Sequence, residues 1–114
     1  MNGIEAMGEA VREHLRLVLL RILCDLPAYR GHQSLLRDLA EGQGLVLPVD
    51  IVRAQPAWLS EQGLIALAPA SDHKVIATLT DRGHDVASGR ASHPGVKRPA
   101  PRSAAAAALG AAID

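Results

Sequence analysis

A chain of 114 residues fits one compact domain plus a tail. It has no Phe, one Trp and one Tyr, so its core must be built from Leu, Val, Ile and Ala; its twelve basic and twelve acidic residues balance, which excludes a uniformly basic nucleic-acid-binding surface. The single cysteine, Cys24, excludes an internal disulfide. With no secretory signal and no apolar run long enough to cross a bilayer, the sequence reads as a cytoplasmic, non-membrane protein.

Val11, Leu15, Val18, Ile22 and Leu26 recur at helical steps between charged residues, which predicts a long amphipathic first helix ending before Pro27. Residues 28–33 read as a connector, with Ser34 as the cap of a short second helix whose inward side is Leu35, Leu36, Leu39 and Ala40. Gly42 and Gly44 end that helix. Pro48 suits the first position of a third helix reaching about Gln62, with Val52 and Leu59 inward and Gly63 as the stop. Pro56 within it removes a backbone bond and presses on the preceding turn at a cost of about 3 kcal/mol. A kink or a split is expected there.

Residues 64–68 and 74–79 are short apolar segments, the second β-branched, separated by turn formers; they predict a hairpin. Thr80 caps a fourth helix over about Asp81 to Ser88, which Gly83 weakens. The expected fold class is therefore mainly α with a small β-hairpin, in the order helix, helix, helix, hairpin, helix over residues 1–89. From residue 90 to 114 the composition turns to Pro, Ala, Ser and basic residues without apolar period, which predicts a mobile basic tail.

This order is that of a winged helix-turn-helix, whose third helix can enter the DNA major groove while the hairpin touches the backbone. The string from Val52 through Trp58-Leu59-Ser60-Glu61-Gln62-Gly63 to Ile65 resembles the reading helix and first wing strand of ArsR and MarR regulators, and Leu79-Thr80-Asp81-Arg82-Gly83 resembles their wing-closing string. Together with Leu35-Leu36-Arg37-Asp38 and the tail Pro94-Gly95-Val96-Lys97-Arg98-Pro99, they make residues 14–102 resemble a family of small winged-helix proteins of Mu-like bacteriophages and prophages. The resemblance implies a phage or prophage setting in a bacterial host and a winged-helix fold.

On the reader helix, Arg53 and Gln55 carry side chains suited to guanine and adenine edges, with Asp50 beside them; a solvated helix face accounts for the same residues. His73 and Lys74 at the hairpin tip, Arg30 before the second helix, and Lys97, Arg98 and Arg102 in the tail are candidate phosphate contacts. Trp58 reads as a core anchor between the third helix and the sheet. The five histidines and Cys24 match no zinc spacing, and no phosphate loop, nucleophile motif or carboxylate pair appears, so neither cofactor, metal nor catalysis is expected.

The expected function is a transcriptional regulator binding double-stranded DNA as a homodimer. The alternative is the same fold as a protein-interaction module acting on a host or phage protein, favoured by neutral charge, the acids Asp50 and Glu61, and Pro56.

Overall fold

The computed structural model describes residues 3–70 and 74–100. Among them are four α-helices and a three-stranded antiparallel sheet: α1 (Gly3–Asp25), a 3-10 turn (Pro27–Tyr29), β1 (Arg30–His32), α2 (Gln33–Gly42), α3 (Val49–Glu61), β2 (Ile65–Pro69), β3 (Val75–Leu79) and α4 (Asp81–Ser88). No helix among the described residues is long and apolar enough to cross a membrane.

The C-terminal half of α1 is the axle of the domain. Leu15, Leu17, Val18, Leu19, Leu20, Ile22 and Leu23 are all buried, because α2, α3, α4 and β3 pack around it. A helix apolar around its circumference belongs in the centre of a core rather than on its surface. The single apolar stripe expected from Val11 to Leu26 therefore understates the burial. Opposite this helix the core is closed by Leu36 of α2, Leu59 of α3, Leu64, Ala77 and Val86.

Between α1 and α2 the expected connector contains a strand. Ala28 and Tyr29, both at φ +57°, turn the chain sharply, and Arg30, Gly31 and His32 then pair with Thr78, Ala77 and Ile76. Three residues without a β-branched side chain carry no pattern of their own; pairing with β3 makes the strand. The sheet order is β1-β3-β2, with Ile65 opposite Leu79 and Pro69 opposite Val75. Pro69 is tolerated because β2 is an edge strand. Helix α2 begins one residue before Ser34, with His32 at the cap and no side-chain cap bond, which corrects the expected Ser34 cap.

The hinge between sheet and α4 is the expected one. The Thr80 hydroxyl accepts from the Gly83 amide at 3.0 Å and donates to the Gly63 carbonyl at 2.8 Å, so one side chain caps α4 and ties it to the end of α3. Gly83 does more than weaken the helix. A Cβ there would overlap the Leu64 carbonyl oxygen, so its absence lets α4 lie against the chain entering β2.

The boundary expected at residue 90 does not hold for the residues that follow it directly. After the α4 cap, residues 91–100 return across the domain as a strap: Val96 is 7% exposed and the Lys97 amide donates to the Glu13 carbonyl at 3.1 Å. Val96 is a lone apolar residue, so no period announces it; it joins the buried core beside the Lys97 amide that bonds α1. The expected local helix over residues 104–108 lies outside the described residues.

Candidate nucleic-acid interface

Helix α3 has one buried face and one exposed face. Val52, Gln55, Pro56 and Leu59 point inward, while Asp50, Arg53, Ala54, Ala57 and Glu61 face solvent. The helix runs unsplit through Pro56, so the expected split does not occur. Its exposed face carries one cation, two carboxylates and two small side chains. Asp50 stands in the first turn, where a carboxylate favours the positive end of the helix dipole.

Gln55 is not on the reading face. It is 3% exposed, its Oε1 accepts from Arg16 Nε at 2.9 Å and its Nε2 donates to the Ile51 carbonyl at 2.7 Å. A side chain whose amide is bonded at both ends inside the protein has nothing to offer an adenine edge, so the sequence expectation for Gln55 is corrected. The unforeseen partner is Arg16 of α1, only 7% exposed.

Arg16 joins three elements. Beside its bond to Gln55, it donates from Nη1 to the Gly95 carbonyl at 2.8 Å, reaches Glu9 at 3.3 Å and lies over the Trp58 ring at 3.9 Å from the centroid. The Trp58 ring is covered by the strap, with His93 edge-on at 6.0 Å and Gly95 against its six-membered ring. Trp58 thus anchors strap to helix, where helix to sheet was expected.

His93 completes this side. Its Nε2 donates to Gln62 Oε1 at 2.9 Å, and its Nδ1 accepts from Arg82 at 3.4 Å, a pairing that fits the neutral ring. Burial, aided by the Arg82 charge, holds its pKa below the ordinary 6.5. His14 is lowered in the same way by burial and by Lys97 and Arg21.

The other flank of α3 opens onto a cleft of about 300 Å³ between α2, α3 and the start of β3. Arg37 of α2, Arg53 of α3 and Lys74 before β3 line it together with Gln33 and Ser34, over a floor of Leu19, Leu36, Val52, Pro56 and Val75. Arg53 makes no ion pair or hydrogen bond among the described residues. Arg37 Nε lies 3.8 Å from Glu41 Oε1 and, though shielded from solvent, makes no hydrogen bond. Of the expected site residues, Arg53 and Lys74 come together here. Arg37 joins them unforeseen, although its position beside Leu36 on the border of the apolar stripe was the available signal.

Arg30 is exposed on β1, and Lys97 and Arg98 are exposed on the strap, so neither group lines this cleft. His73 and Arg102 lie outside the described residues. Burial, with Asp25 beside it, raises the pKa of Cys24 and keeps the thiol protonated. Among the described residues no group of three or more His, Cys, Asp or Glu stands together as a metal site.

The chain is 42% identical over 96 residues to the uncharacterized protein gp26 of Escherichia phage Mu, covering 84% of this chain and 98% of that protein. It is 32% identical over 74 residues to an uncharacterized protein of Haemophilus influenzae, covering 65% of this chain and 72% of that protein. No family model matches the chain, and no solved structure matches it.

Proposed function

The chain belongs to the family of phage Mu gp26, and from that premise we propose that it is a winged-helix DNA-binding regulator of a Mu-like phage or prophage. The carrying observation is that α2, α3 and the hairpin each bring a cation, Arg37, Arg53 and Lys74, to one cleft. Phosphate contacts of this kind fix a protein on the duplex, and a helix between them is placed to enter the major groove. The order α1, β1, α2, α3, β2, β3, α4 with sheet order β1-β3-β2 supports the winged-helix reading. In this reading Arg53 touches backbone or a guanine edge, and Lys97 and Arg98 add sequence-independent attraction.

The test is a salt titration of binding to mixed duplex fragments. Wild-type protein should bind at low salt and lose affinity as salt rises; Arg53→Ala should weaken binding and flatten the log–log salt slope by about one. Absence of binding by the wild type at low salt overturns the reading. Sedimentation of the same complexes gives the stoichiometry and so tests the homodimer.

A second reading, a protein-interaction module, is favoured by Leu35 and Leu39 of α2, which were expected inward but are exposed, and by Val46 before α3 and Val49 at its start, also exposed, Val46 to 78%. Apolar side chains grouped on a surface commonly mark a protein contact. Leu39→Glu separates the two: it removes a protein contact while leaving every proposed phosphate contact in place.

A further inference from the structure

Resting on the proposal that Arg53 meets DNA, we infer that Gln55 is a positioning residue: its side chain splints the turn of α3 that carries Arg53, where Pro56 interrupts the helix. Proline has no amide proton, so the backbone bond from position 56 to the Val52 carbonyl is missing, and a helix bends most readily at such a point. The two sides of Pro56 are held differently. After it, α3 is fixed by the buried Leu59, by Trp58 against Gly95 and, at its end, by Gln62 bonded to His93. Before it, Val49, Val52 and Arg53 border the open cleft, and of these only Val52 is buried.

Gln55 supplies a tie where the proline withdraws one. Its Nε2 donates to the Ile51 carbonyl one turn back at 2.7 Å, and its Oε1 accepts from Arg16 Nε at 2.9 Å, so the turn from Ile51 to Gln55 is closed on itself and pinned to α1. The neighbours dictate the chemistry of this side chain: a guanidinium only donates and a carbonyl only accepts, so the group between them must accept at one end and donate at the other. A carboxylate of the same length meets only half of that requirement. Arg16 is itself held by the Gly95 carbonyl and the Trp58 ring, which makes it a fixed post for the helix. Arg53 stands two residues before Gln55, on the opposite and exposed side of the same turn. Contact residues work only when held to within about 0.5 Å of their geometry, so the bonds on the buried side set where the Arg53 guanidinium can reach.

The full chain carrying Gln55→Glu tests this, because the carboxylate keeps the bond from Arg16 and loses the one to Ile51. Without DNA, amide exchange should quicken about tenfold at positions 53–55 and stay at the wild-type rate at Leu59 and Leu64. On mixed duplex fragments the affinity should fall about tenfold, the share of one charge-assisted bond, and the log–log salt slope should flatten by about one. Adding Arg53→Ala should then cost almost nothing more, since that contact is already lost. Pro56→Ala restores the backbone bond and should rescue both exchange and affinity. Gln55→Met, which adds no charge, should reproduce the fast exchange and its rescue; if it does not, the effect of Gln55→Glu is repulsion by the added carboxylate and the splint is overturned. Unchanged exchange at positions 53–55, or a loss that Pro56→Ala does not rescue, also overturns the splint. Additive losses from Gln55→Glu and Arg53→Ala overturn the positioning of Arg53. If the wild type binds no duplex at low salt, the DNA reading falls and the positioning with it, while fast exchange rescued by Pro56→Ala still supports the splint.

Discussion

The two flanks of α3 treat their polar groups in opposite ways. On the strap side, Gln55 is bonded to Arg16 and Ile51, Arg16 is bonded to Gln55 and Gly95 and stacked on Trp58, and His93 uses both ring nitrogens. On the cleft side, Arg53 has no partner among the described residues and Arg37 Nε has no hydrogen bond. Buried groups paired with one another in this way hold a fold together, because breaking a bond strands its partner in the interior. An exposed side chain without a partner, as Arg53 is among the described residues, contributes little to the fold. One helix thus carries a flank whose polar groups are paired within the fold and a flank proposed to bind DNA, and, Gln55 apart, substitutions on the two should separate stability from the proposed binding.

The largest loss is expected at Arg16. Truncation to Ala strands Gln55 Oε1 in the interior, removes the cation over Trp58 and frees the Gly95 carbonyl, for a combined cost of about 3 kcal/mol. Urea denaturation should show the midpoint falling, with limited proteolysis first cutting between residues 90 and 100. A variant as stable as wild type would show that the strap side is not the structural flank.

Gly95→Ala should follow, at about 2 kcal/mol. Gly95 has φ +90°, which an L side chain adopts only under strain, and an added Cβ would stand 2.7 Å from the Trp58 ring. Because the strain and the clash with Trp58 both arise where the strap meets α3, the loss should show as strap release, read as faster amide exchange at Val96 and Lys97 with the rest of the domain protected. Uniform loss of protection would merge the strap with the core as one cooperative unit.

Acid should act on the same flank with a smaller effect. The His93 pKa is lowered on folding, from 6.5, by burial and by Arg82, so the released chain takes up a proton more readily than the docked one. Stability is therefore full above pH 6.5 and is lost as the pH falls from 6.5 through the lowered value, below which the dependence flattens. His14, lowered by burial and by Lys97, adds in the same direction. Protonating Nδ1 also removes the acceptor used by Arg82. Thermal melts at pH 7.5 and pH 5 should show this loss, and His93→Gln should reduce it; an unchanged pH dependence in the variant would place its origin elsewhere.

The difference between the flanks also explains what the sequence could and could not reveal. The Thr80 cap, α4 and the hairpin were legible because each rests on neighbours in the chain: a hydroxyl three residues from the amide it caps, and a β-branched run beside a turn. The core period of α3 was legible for the same reason. Gln55 was misread because its burial depends on Arg16, thirty-nine residues away, and a glutamine facing an arginine on another helix looks in sequence like one facing water. The strap was missed because Val96 and Gly95 form no pattern until α1 and Trp58 are beside them. Arg53 and Lys74 were found as single cations, whereas their convergence with Arg37 is a property of the packing of three elements.

Arg53→Ala gives the smallest expected change in stability and is the sharpest test of the contrast. The side chain is exposed and has no partner among the described residues, and alanine favours the helix slightly more than arginine, so the unfolding free energy should stay within about 0.5 kcal/mol of wild type. Removing one of three cations at the cleft should also relieve repulsion from Arg37 and Lys74, which offsets any lost packing of the side-chain stem. That relief is screened by salt, so stabilities of the two proteins should converge as ionic strength rises. Denaturation at low and high salt measures it directly. A loss comparable to that of Gly95→Ala, independent of salt, would mean that Arg53 is held by the fold as Arg16 is, and the functional flank would have to be sought on another face of the domain.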